Sequence, residues 1–392
     1  MYPIPRSFYW VFVGSYTQKE PHVDGKGEGI YCYRFLPDQT PHLQLVHVAK
    51  SVGINPTFLI ATRSKIDRKT ITLYAVNECS EALHSSIANR LSVSSKTTGF
   101  VRAFEFDETA LTLTELQEPL PTLGSYPCHL SLNASNRFLT VSNYGGGSIS
   151  LFPIENGLLS PATLVKEYTA FTSTNKQRQE ASHLHSTSWV SLQNGQELVY
   201  GADLGNDCVY HLRLNASAKT LEDVNNDNAN VCAKCHLGSG PRHLAIHKTQ
   251  KLAFILNELS SFIGVHEIHL LTGNIAPQAA QNISTLPSDI DGNLCADIHI
   301  SNCERFLYAS NRGHNSLAAF RIDAEAKDHK YLKIIGWYPA LGAIPRSFSI
   351  IEDFVIVANQ DSDSLQIFKV QQQDTEEAPV GALEKTKRPP SA

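Results

Sequence analysis

The sequence is short of several things that would point elsewhere. It has no apolar run approaching the roughly 18–20 residues a membrane-crossing helix needs. Its longest N-terminal apolar stretch, Phe8 to Val13, is too short for a secretory signal and has no small-residue cleavage site behind it, so we expect a cytoplasmic protein. There is no basic tract: 33 Lys and Arg face 38 Asp and Glu, a net charge of −5, which argues against nucleic acid and membrane surfaces as partners. The eight cysteines follow no repeated spacing, so they read as reduced thiols and not as a disulfide frame. No G-x-S-x-G elbow is present, which disfavours a serine hydrolase. Gly145–Gly147 is not followed by Gly-Lys-Ser/Thr, so it reads as a hairpin turn and not a phosphate loop. Long amphipathic helical periodicity is missing as well.

What is present is a repeat. A short apolar strand ends in Asn or Asp, turns, and is followed by an alternating strand ending in an aromatic or His. Copies run VGSY…GIYCY (13–33), AVNE…GFVRAF (75–104), VSNYGGGSISLF (141–152), GADLGNDCVYH (201–211), ILNELSSFIGVH (255–266), ASNRGHNSLAAF (309–320) and VANQDSDSLQIF (357–368). Their last residues lie 48 to 71 positions apart, room for four strands and their turns. Short strands in radial repetition leave no long open edges. The expected fold is therefore all-β: a seven-bladed β-propeller of four-stranded antiparallel blades in one domain, residues 8–370. The N-terminal strand is expected to complete the last blade, and the polar, proline-containing tail 371–392 to be disordered.

Strand order puts the start of each blade's first strand and the end of its second on one face. The strand ends carry Asn77, Asn143, Asp203, Asn257, Asn311 and Asn359, whose recurrence in blade after blade marks residues that hold backbone groups. The following position varies: Tyr16, Glu78, Tyr144, Leu204, Glu258, Arg312 and Gln360. First strands begin at NPT (55–57), YPCH (126–129), SHLH (182–185), GSGPRH (238–243), CADIH (295–299) and IPRSF (344–348), placing His185, Arg242, His243 and Arg346 near the same mouth. Singly, each of these is a surface charge or a satisfied histidine; together they are the strongest functional signal in the chain. The copy after Asn77 is longer than the others, and the excess, roughly 79–98, is a candidate lid beside Glu78.

CAKCH (232–236) fits a haem-attachment pattern but also alternates as a strand, and the strand reading fits the surroundings better. His183 and His185 have no third ligand at a fitting spacing, so no metal and no cofactor is expected.

Taken in order, NE (77–78), NYGGGS (143–148), HLH (183–185), DLGND (203–207), GSGPRH (238–243), NEL (257–259), SNRG (310–313) and ANQ (358–360) resemble the lactonase propeller family, which includes propeller-type 6-phosphogluconolactonases and fungal carboxy-muconate cyclases. The resemblance covers about residues 10–370. It implies a metal-independent lactone site in the mouth, acting on a small anionic lactone. Carried over by motif, the catalytic set falls on His185 (or His183), Arg242, Glu258 and Arg312. The His segment reads SHLHS, without the proline that relatives often carry there. Around this set His183, His243, Glu78, Tyr144, Arg346 and Gln360 are expected to bind substrate. Either His185 or Glu258 would activate water, and the arginines would hold an oxyanion or an anionic group. Lactone hydrolysis, a muconate-type cycloisomerisation and a non-catalytic binding scaffold all remain compatible with these residues.

Overall fold

The computed structural model describes residues 8–40, 42–63, 70–84, 93–224, 232–249, 251–373 and 379–386. They form seven antiparallel sheets in a ring, plus one small hairpin, with no helix among them. Blades 5 and 6 show the full pattern. Blade 5 runs Pro241–Ile246, Leu252–Asn257, Phe262–Glu267 and Gln281–Ser284. Blade 6 runs Leu294–Ile300, Phe306–Arg312, Ser316–Ile322 and Leu332–Pro339. The second strand of each is buried along its length and apolar up to its polar end at the mouth (Asn257; Ser310–Arg312), because both its faces pack against neighbouring blades. Phe254, Leu256, Leu307 and Phe320 meet in one such layer between blades 5 and 6.

The Asn at the end of the second strand ties several blades to the one before, whereas Asn257 turns back on its own blade, to Ile255 O (3.3 Å) and Phe262 O (3.2 Å). Asn77 Nδ2 donates to Val52 O (3.0 Å) and Ile54 O (2.7 Å), Asn311 to Thr285 O (2.9 Å), and Asn359 to Ala340 O (3.1 Å). The repeated Asn is thus structural.

Ring closure differs from the sequence expectation at both ends. Tyr9–Val13 pairs with Ile30–Phe35 in the first blade, which has three strands, Leu43–Ala49 being the third. The last blade is completed from the tail, where Leu383–Lys385 pairs with Phe368–Val370. The reason is a short apolar run in the polar tail. Val380, Ala382 and Leu383 are buried, the first and last against Phe306 and Tyr308, and Tyr308 Oη donates to Gly381 O at 2.9 Å. The seam between blades 7 and 1 is side-chain packing, with Phe35 and Phe354 ring centroids 5.3 Å apart.

Candidate active site

The first strands are not regular where they begin. In five blades their pairing to the second strand slips at the mouth: Pro127 pairs with Asn143 and His129 with Ser142, Leu184 with Asp203 and Ser186 with Ala202, Pro241 with Asn257 and His243 with Leu256, Pro345 with Asn359 and Ser347 with Ala358. In blade 6 the slip spans two residues, between Cys295 and Ile298. The residues left out of register are Cys128, His185, Arg242, Arg346 and the pair Ala296–Asp297. A β-bulge re-aims a side chain that a regular strand would send into a blade interface. Here the bulges bring His185, Arg242 and Arg346 to a single cavity. Ahead of Arg242 and Arg346 the backbone turns at Gly240 and Ile344, each at positive φ (62°, 59°) before a proline, and Asn55 and Tyr126 repeat that turn (47°, 51°) before Pro56 and Pro127.

The cavity measures about 560 Å³. Tyr16, Glu78, His185, Arg242, Arg346 and Gln360 stand on its wall. On one side Tyr16 Oη accepts from Arg346 Nη2 (2.9 Å) and donates to Glu78 Oε2 (3.0 Å), which also accepts from Thr57 Oγ1 (2.6 Å). A small hairpin, Lys19–Glu20 with Val23–Asp24, forms a lip there, and its His22 sits 3.2 Å from Tyr16 Oη. Gln360 donates from Nε2 to Asp361 (2.9 Å), while its Oε1 is buried with no hydrogen-bond partner among the described residues.

On the other side lies a charge cluster centred on Glu258, which is 1% exposed. Arg178 Nη2 meets its Oε1 at 2.6 Å; Arg312 Nη2 and Arg242 Nε lie 2.9 and 3.1 Å from Oε2, the latter as an ion pair without hydrogen-bond alignment. Burial opposes ionisation of Glu258, but Arg312, Arg178 and Arg242 outweigh it and hold the carboxyl at about 2. Both oxygens are therefore occupied by cations. Neither oxygen is left open to a water, which does not match the expectation that Glu258 activates one.

Of the two candidate histidines, His183 is tied up: Nδ1 contacts Tyr144 O at 3.1 Å, Nε2 contacts Glu180 at 3.1 Å, and its ring stacks on Tyr144. His185 is buried on the cavity wall with no carboxylate on its ring among the described residues; its Nδ1 lies 3.8 Å from Cys128 Sγ. Burial first, then Arg242, His243 and Arg346, push it well below the ordinary histidine value, so it is neutral with a lone pair to offer. His243, expected to bind substrate, has both nitrogens engaged, Nδ1 with Asp297 (2.9 Å) and Nε2 with Arg242 Nη1 (3.1 Å).

Arg178 was not singled out from the sequence. It lies in the loop between blade 3, whose strands run from Pro127–Leu132 to Leu164–Glu167, and blade 4, which begins with Leu184–Ser191, held by Gln179, whose fully buried Nε2 donates to Asp207 Oδ1 (2.7 Å) and Leu204 O (2.9 Å). Only its place beside the H-x-H segment could have drawn attention to it. The proposed lid falls partly on 85–92, outside the described residues. Its described flanks extend the blade 2 hairpin, Ile71–Ala82 with Thr97–Asp107, and Ser94 and Ser95 donate backbone N–H groups to Glu167 on the outer strand of blade 3. Cys232–Lys234 is a strand paired with Cys208–Tyr210, as the alternation implied, and among the described residues no His, Cys, Asp and Glu group could hold a metal.

A ring of seven sheets with a cationic, histidine-bearing mouth defines a propeller enzyme. The family model for the seven-bladed β-propeller lactonases matches residues 10–389, and the chain belongs to that family. A 6-phosphogluconolactonase of Formosa agariphila is 34% identical over 368 residues, 92% of each chain. A 6-phosphogluconolactonase of Bacillus subtilis is 28% identical over 366 residues, 92% of this chain and 91% of the other. Among solved structures, the periplasmic gluconolactonase of Pseudomonas aeruginosa superposes with a TM-score of 0.74 at 28% identity, covering 97% of this chain and 96% of the other.

Proposed function

We propose that this chain hydrolyses a sugar lactone carrying an anionic group, with 6-phosphogluconolactone as the best-fitting substrate. The observation that carries the reading is the pairing of a neutral, buried His185 with Arg242 and Arg346 on one cavity wall. Four arginines (178, 242, 312, 346) surround two carboxylates (Glu78, Glu258), leaving cationic capacity for an anionic substrate. The named activities of the Formosa and Bacillus relatives support the substrate class.

In this reading His185 takes a proton from the water that attacks the lactone carbonyl carbon. Charge then grows on the carbonyl oxygen, where Arg242 donates; Glu258 keeps the guanidinium in place so that little reorganisation is needed. Collapse of the tetrahedral intermediate breaks the ring C–O bond, and the proton held by His185 passes to the departing ring oxygen. The product is the open hydroxy acid. Arg346, whose Nη2 alone is engaged by Tyr16, offers its remaining guanidinium edge to a phosphate or carboxylate, the geometry that a planar fork suits. The test is hydrolysis of freshly made 6-phosphogluconolactone beside unphosphorylated gluconolactone, each against its spontaneous rate. The reading expects acceleration of both, with higher kcat/KM for the phosphorylated ring. Equal values, or a preference for the uncharged ring, would remove the anionic-group part of it.

A further inference from the structure

The two-residue bulge of blade 6 sits directly behind Arg242 and His243. Adjacent residues of one strand meet adjacent residues of the other. Arg242 Nη1 donates to Ala296 O, and His243 Nδ1 lies 2.9 Å from Asp297 Oδ1. The same Arg242 Nη1 is 3.1 Å from His243 Nε2. A guanidinium can only donate, so His243 Nε2 must be the acceptor and the ring proton must sit on Nδ1, pointing at Asp297. Asp297 is 3% exposed and heavily anchored: Ile298 N donates to Oδ1 (3.0 Å), and Ser347 Oγ (2.9 Å) and Phe348 N (3.2 Å) donate to Oδ2. His299 Nε2 stands 3.2 Å from Oδ2. Blades 5, 6 and 7 thus converge on one carboxylate.

We propose that Asp297 is a positioning residue of the site: it fixes the Nδ1–H tautomer of His243, whose Nε2 lone pair then holds Arg242 Nη1 at the cavity wall. Glu258 anchors the guanidinium from its Nε side, Ala296 O and His243 from its Nη1 side, and Nη2 is left for the substrate. With the opposite tautomer an N–H would face an N–H, and Arg242 would be displaced. This rests on the lactone reading only for the meaning of Arg242's position; the tautomer itself does not depend on it.

The test is a double-mutant cycle with a spectroscopic arm. Asp297→Asn should lower kcat/KM for lactone hydrolysis by about 10²-fold, the cost of an ångström-scale misplacement. His243→Gln places a carbonyl oxygen where Nε2 was, needs no tautomer, and should stay within about 10-fold of the parent. In that background Asp297→Asn should have no further effect. Histidine-labelled protein should show His243 as the neutral Nδ1–H form by long-range ¹H–¹⁵N correlation, and Asp297→Asn should remove that signature while thermal melts show a folded chain. Equal losses from Asp297→Asn in both backgrounds would make Asp297 a purely structural anchor and overturn the proposal, as would an Nε2–H form of His243 in the parent protein. If no lactone is turned over at all, the functional reading fails while the tautomer still decides this one.

Discussion

Arg178 Nη2 reaches Glu258 Oε1 at 2.6 Å across 80 residues of chain, joining a loop outside the blades to the strand end that organises the site. The same nitrogen lies 3.4 Å from Tyr144 Oη. Arg178 is one-third exposed at its side chain, so it is the cation of the cluster nearest to solvent and to an arriving anion.

Replacing Arg178 by Ala should therefore cut kcat/KM on an anionic lactone by about 10-fold or more, the worth of one charge-assisted hydrogen bond. The loss should fall mainly on KM. Steady-state kinetics check it; an unchanged KM would make Arg178 a spectator.

Glu258 gives a stability prediction. Its folded value near 2 lies below the ordinary 4.5, so the unfolded chain binds the proton more readily. The stabilisation is present above about pH 4.5 and is lost as pH falls toward about 2. Glu258→Gln removes the charge and leaves three guanidinium groups facing an amide. Breaking a buried ionic cluster in this way costs about 3 kcal/mol or more. Urea unfolding at neutral pH should show that loss, and the acid-side fall in stability should be shallower in the variant. A parent and a variant with superimposable acid profiles would show that Glu258 is not the group titrating.

His185 gives a different pH signature. Because burial and the nearby arginines keep it neutral, lowering the pH from about 8 to about 6 should not remove the base form, and kcat/KM should stay flat on its account. His185→Ala should lose about 10²–10⁴-fold in kcat. A parent profile that halves near the ordinary histidine value would contradict the environment described for it.

Much of this was legible in the sequence, and what was not has physical causes. The blade count and the recurring Asn followed from repetition, since each blade solves the same packing problem. Arg242, His185 and Arg346 were placed on the right face, but the reason they point into the mouth is a bulge, and a one-residue slip in pairing leaves no trace in an alternating pattern. The same slip bears on His243: one position beyond Arg242, it lines the cavity but has both ring nitrogens committed, to Asp297 and to Arg242. Arg178 was missed because it belongs to no repeat. Within the tail, polar composition hid the short run Val380–Leu383, which leads into the strand Leu383–Lys385 on the outer side of blade 7; 374–378 and 387–392 lie outside the described residues.

That tail is itself testable. Leu383→Ala should cost about 2 kcal/mol, the usual price of truncating a buried leucine, and lower the urea midpoint with activity at saturating substrate preserved. No change in the midpoint would mean the Leu383–Lys385 strand contributes nothing to ring closure.

The most direct test of the account is the hydrolysis of 6-phosphogluconolactone by the purified chain, measured against the spontaneous rate and against Arg242→Ala. The account predicts clear acceleration by the parent and its near-complete loss in a variant that melts as a folded protein. Acceleration that survives the loss of Arg242, or none in the parent, would contradict it.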